Sequence, residues 1–81
     1  MMTLTDFLDL IRSEKWNYHN TMDRLIVCRG VRFYFQNGML KYIEDSRIRV
    51  NTVADIKIKN AAMYLYDDFG EEVGFIKNEM W

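Results

Sequence analysis

Leu4, Phe7, Leu8 and Ile11 stand at i, i+3, i+4 and i+7 near the start of the chain. That spacing lays one apolar stripe along a helix. Thr3 or Thr5 can cap the free N–H groups of its first turn, and Asp6 and Asp9 suit its positive end. The pattern predicts a helix over Thr3-Leu4-Thr5-Asp6-Phe7-Leu8-Asp9-Leu10-Ile11-Arg12-Ser13 that fades between Ser13 and Trp16. The polar run Asn17 to Thr21 then leads into sequence whose period is two.

From Arg24 onward the alternation is that of strands. Leu25, Val27, Val31, Phe33 and Phe35 share parity, provided that Cys28-Arg29-Gly30 forms a three-residue turn or a bulge in one strand. Asn37-Gly38 is the strongest turn signal, since a type I′ turn needs positive φ at both positions. It sets Phe35 opposite Leu40 and, by simple counting, Phe33 opposite Tyr42. The other face then carries Arg32, Tyr34, Gln36, Met39, Lys41 and Ile43.

In residues 47–59, Ile48, Val50, Ile56 and Ile58 point one way and Arg47, Arg49, Lys57 and Lys59 the other. The stretch is long for one strand, so a turn or bulge is expected near Asn51-Thr52-Val53. A final hairpin turns at Asp68-Phe69-Gly70. With Gly70 left-handed, it sets Leu65 opposite Val73 and Met63 opposite Phe75. The sum is an α+β domain: one N-terminal amphipathic helix on a curved antiparallel sheet of five to six strands, connected as a β-meander. One helix cannot cover a wide flat sheet, so either the sheet curls around it or part of the outer face meets a partner.

Composition narrows the chemistry. The 81 residues are 49% hydrophobic and 15% aromatic, which is a single folded domain and not a disordered segment. Charged residues within the first 20 positions argue against a signal peptide, and no stretch has the apolar length of a membrane span. Cys28 is the only cysteine and His19 the only histidine. That scarcity favours a cytoplasmic protein and leaves no ligand set for zinc and no catalytic triad. Cys28 lies within Leu25-Ile26-Val27-Cys28 and reads as a packed residue, not a nucleophile. No catalytic residue, cofactor site or metal site is expected.

Charge is segregated along the chain. Residues 1–23 carry a net −2, residues 24–60 a net +5 and residues 61–81 a net −4. A basic middle and an acidic end suggest two different surfaces. The segment Arg29-Gly30-Val31-Arg32-Phe33 is similar to the signature strand of RNA-recognition motifs, matching at Arg29, Gly30 and Phe33. Val31 stands where an aromatic belongs and Arg32 where a small residue belongs. Residues 40–81 also lack the period of that fold's second helix, so no membership follows.

Two surface features remain. The predicted outer face offers Arg32, Tyr34, Lys41, Arg47, Arg49, Lys57 and Lys59, a basic-aromatic set of the kind that binds phosphates and stacks bases. Asp67, Asp68, Glu71 and Glu72 surround the last hairpin turn, without the spacing of a calcium-binding loop. Trp16, Tyr18, Tyr64 and Tyr66 are expected to help close the core, whereas Trp81 follows polar residues and is a candidate contact.

These features lead to an expectation of a non-enzymatic protein that occupies a surface of a larger protein partner. Its size and style, though no residue motif, are those of phage or mobile-element products that inhibit bacterial nucleic-acid-processing or defence enzymes, CRISPR nucleases among them. The alternatives are a single-stranded nucleic-acid-binding sheet and a small structural or homodimeric subunit.

Overall fold

The computed structural model describes residues 2–44, 49–50 and 53–78. Among these residues one helix, α1 (Leu4–Ser13), is followed by β1 (Tyr18–Thr21), β2 (Leu25–Cys28), β3 (Val31–Gln36), β4 (Met39–Glu44), β5 (Arg49–Val50), β6 (Asp55–Lys59), β7 (Ala62–Tyr66) and β8 (Glu72–Lys77). All pairing is antiparallel between successive strands, as a meander requires. The strands form two sheets, not the single one expected: β1-β2-β3-β4-β5, whose last member is two residues long, and β6-β7-β8. The α+β class and the antiparallel connectivity stand; the single continuous sheet does not. Arg47, Ile48 and the turn expected at Asn51-Thr52 lie outside the described residues, whereas Val53 is buried.

The helix forms where the apolar stripe placed it. The Thr3 hydroxyl accepts from the Asp6 N–H at 3.1 Å, and Asp6 lies in the first turn. At the other end the chain adopts a Schellman motif. The Trp16 N–H donates to the Ile11 carbonyl at 2.9 Å and the Lys15 N–H to the Arg12 carbonyl at 3.1 Å, with Lys15 left-handed at φ 59°. This reversal brings Trp16 back into the core beside Ile11. Residues 17–21, expected only to lead into the sheet, include its edge strand β1.

Three local departures from simple counting decide which side chains are inside. Arg29-Gly30 is a two-residue turn with φ of 55° and 79°, pairing Cys28 with Val31 and Ile26 with Phe33. The buried face of β2 is therefore Ile26 and Cys28, and the predicted Leu25 and Val27 are half-buried on the opposite face. In β4, Lys41 is an extra residue: Phe35 pairs with Leu40 but Tyr34 with Tyr42, so Ile43 goes inside opposite Phe33 and Tyr42 outside. In β8, Val73 is an extra residue between Glu72, opposite Tyr66, and Gly74, opposite Leu65. Met63 thus faces Ile76, not Phe75, and Leu65 faces Gly74, not Val73.

One core results, shared by the helix and both sheets. Phe7, Leu8 and Ile11 meet Ile26, Cys28, Val31, Phe33, Phe35, Leu40 and Ile43 from the first sheet. Val53, Ile56, Met63, Leu65 and Ile76 join from the second side. The Phe7 ring lies 4.6 Å from that of Phe33 and 5.5 Å from that of Phe35. Arg29 Nε donates to Asn78 Oδ1, tying the β2–β3 turn to the end of β8.

Two consequences are measurable. Asn60-Ala61 joins β6 to β7 with φ of 53° and 59°, so an alanine occupies a left-handed position that glycine adopts at lower cost. Ala61→Gly should raise the unfolding free energy by about 0.5–1 kcal/mol, read from a urea midpoint at unchanged slope. Burial pushes the Cys28 thiol up to about 11 from its usual 9.0. The unfolded chain therefore releases this proton first, and the native state holds it longer. The contribution of this thiol to stability is therefore full well below pH 9 and is lost as pH rises through 9 toward about 11. Cys28→Ala should flatten that part of the stability–pH profile relative to the parent chain.

Candidate binding surfaces

The residues expected to make one basic-aromatic face are divided between two sheets. On the outer side of the first sheet, residues in register share a face, giving Leu25–Tyr34–Tyr42 in one row and Val27–Arg32–Glu44 in the next. Tyr34 and Tyr42 stack with ring centroids 4.4 Å apart. Arg32 is bonded to Glu44 at 3.3 Å, both side chains being more than half exposed. That ion pair is screened and worth little to stability, yet it neutralises the charge that a phosphate would need. Lys41 is exposed at the bulge.

Lys57 and Lys59 belong to the second sheet. Its outer side has three rows: Asp55–Tyr66–Glu72, Lys57–Tyr64–Phe75 and Lys59–Ala62–Lys77. Lys57 Nζ stands 5.5 Å over the Tyr66 ring and Lys59 Nζ 5.5 Å over the Tyr64 ring. Tyr64 and Phe75 stack at 6.2 Å. Tyr64 and Tyr66, assigned to the core from sequence, are half-buried on this outer face, and Phe75, assigned likewise, is 49% exposed.

The acidic hairpin tip resolves into two roles. Asp67 is half-buried, and its carboxylate accepts from the Phe69 and Glu71 N–H groups at 2.9 Å each. The Asp67 N–H donates to the Glu71 carbonyl and the Gly70 N–H to the Asp67 carbonyl. Asp67 thus holds the loop's shape, with Gly70 left-handed at φ 78° as expected. Asp68, Glu71 and Glu72 are exposed around Phe69, which is 90% exposed. Phe69, Val73 and Phe75 gather much of the exposed apolar surface on one hairpin. Phe69 was legible as an apolar residue inside a polar turn. Phe75 was not, because the bulge at Val73 inverts its direction. Trp81 and Arg47 lie outside the described residues, and Arg49 is placed only as the partner of Glu44 in β5.

Other features carry less chemistry. An open hollow of about 470 Å³ lies between the β1–β2 loop and the β3–β4 turn, lined by Met22, Asp23, Arg24, Phe35, Gln36 and Asn37. Asp23 there is engaged by Asn20, which donates to its carboxylate at 2.8 Å and accepts from its N–H at 3.0 Å. Cys28 is fully buried and protonated at neutral pH, so it supplies no thiolate. Among the described residues no three His, Cys, Asp or Glu side chains group as a metal site. Among the described residues no helix is long and apolar enough to cross a membrane. Comparison with protein families, curated proteins and solved structures finds no family model, curated protein or solved structure that matches the chain.

Proposed function

We propose that the chain is a non-enzymatic binding protein that occupies a surface of a larger protein, with the β7–β8 hairpin tip as its anchor. The observation that carries this reading is Phe69, 90% exposed at the end of a loop held by the Asp67 carboxylate. A phenylalanine left in water contributes nothing to the fold, while a rigid aromatic entering a pocket is the kind of contact that dominates an interface. The loop is already ordered, so little conformational freedom is lost when it binds. Asp68, Glu71 and Glu72 around it select a partner whose pocket is rimmed by basic side chains.

A groove lined by basic side chains is what an enzyme that processes nucleic acid offers to the phosphates of its substrate. Inhibition of such an enzyme is the role this reading favours. The size of the chain suits a phage or mobile-element inhibitor, comparable to those directed at CRISPR nucleases. Direct binding of nucleic acid finds weaker support, since Glu44 neutralises Arg32 on one sheet and Asp55 and Glu72 border the lysines on the other.

The test is affinity capture from a nuclease-treated lysate of the natural host, with the parent chain and two variants as bait. Phe69→Ala should weaken capture of the specific partner at least about tenfold, the scale of an interface hot spot. Asp68→Lys combined with Glu71→Lys should weaken it further as salt is lowered, because like charges then face the basic rim. Circular dichroism of both variants should be unchanged, their side chains being exposed. Equal capture by Phe69→Ala would remove the hairpin tip as the anchor.

A further inference from the structure

The outer face of the second sheet is exposed, aromatic at its centre and oppositely charged at its two ends. The Asp55–Tyr66–Glu72 row is acidic, the Lys59–Ala62–Lys77 row is basic, and the Lys57–Tyr64–Phe75 row lies between them. Phe75 is 49% exposed and Val73 39%. A nucleic acid strand would meet carboxylates at one end of this face, and a uniformly acidic protein would meet the same obstacle. A surface with this symmetry of charge is complementary to itself.

We infer that this face is a homodimer interface, occupied by a second copy of the chain related by a two-fold axis. The charge pattern selects the direction of that axis. For two faces pressed together, the axis lies in the plane between them. If it ran along the strands, Asp55 would face the partner copy's Glu72, and Lys59 the partner copy's Lys77, placing like charges together. If it runs across the strands through the central row, each acidic row lies over the basic row of the second copy. Asp55 then faces Lys59 of the second copy, Glu72 faces Lys77, and Tyr64 and Phe75 meet their own counterparts. This second arrangement buries the aromatic row and pairs both acidic rows with basic ones. Of the charged side chains Lys57 alone meets its own counterpart, and the two ammonium groups are drawn away from the axis because each Nζ stands 5.5 Å over the Tyr66 ring of its own chain.

The size of the face sets the strength. Three strands about 4.8 Å apart, each contributing about five residues at 3.3 Å, span roughly 14 by 16 Å. That is well below the roughly 800 Å² per partner of a standard stable interface. The dimer is therefore a weak one that forms at high concentration, and its charged rim makes it sensitive to salt. It also sets the two Phe69 tips at opposite ends of the pair, so that the dimer presents two anchors.

Sedimentation equilibrium from micromolar to about millimolar protein, in low and high salt, tests the interface. The parent chain should shift from monomer to dimer as concentration rises, and less so in high salt. Glu72→Lys alone and Lys77→Glu alone should each weaken association about tenfold or more. The double variant, Glu72→Lys with Lys77→Glu, should restore it, since the swapped charges again face each other. Phe75→Ser should abolish association while leaving the circular dichroism spectrum unchanged. Phe69→Ala should dimerise like the parent chain, so this result is independent of the partner-binding experiment. A parent chain that stays monomeric throughout, single reversals that associate normally, or a double variant that fails to recover would each overturn the interface. So would binding of a single-stranded oligonucleotide that depends on Lys59 and Lys77 in a protein that does not dimerise.

Discussion

The packing of Phe7 against Phe33 and Phe35 is the contact around which the rest of the molecule is arranged. One ten-residue helix must supply the apolar cover for the first sheet and share its core with the second. A domain of this size buries only about 60% of the surface its unfolded chain exposes, so it has little stability to lose. β2, β3, β4, β6, β7 and β8 are therefore each constrained to turn apolar side chains toward the same interior. The Schellman reversal at Lys15, which returns Trp16 to Ile11, and the Arg29–Asn78 bond between the sheets serve that one constraint.

Parity explains both the core and the surfaces. A strand alternates with period two, so a single inserted residue exchanges inside for outside. Lys41 and Val73 are such insertions. Each places an aliphatic residue, Ile43 or Ile76, in the core and turns the neighbouring aromatic, Tyr42 or Phe75, toward solvent. The exposed aromatics thus follow from the same two bulges that fill the interior with isoleucine. They join Tyr34 on one sheet and Tyr64 on the other, making two outward aromatic clusters in place of one basic-aromatic plane.

The hairpin tip and the face of the second sheet differ in how they are held. The hairpin tip is organised by backbone hydrogen bonds to one carboxylate, leaving Phe69 and the flanking acids directed outward. The face of the second sheet is organised by register, which aligns charge and aromatic rows across three strands. A tip of this kind suits insertion into a pocket. A patterned plane suits the broad contact of a like surface. The two do not compete for the same residues, except where Glu72 lies between them.

The helix, its Thr3 cap, the antiparallel meander and the turn at Asn37-Gly38 were determined by sequence alone, because each depends on interactions within a few residues. So were the burial of Cys28 and the left-handed Gly70. The extra residues at Lys41 and Val73, the two-residue turn at Arg29-Gly30 and the division into two sheets are different in kind. Val73-Gly74-Phe75-Ile76 is compatible with either facing when taken locally. What selects the facing is whether phenylalanine or isoleucine fits against Met63 in a core already shaped by the helix. That choice compares packing between segments far apart in the chain, and only the tertiary structure makes it.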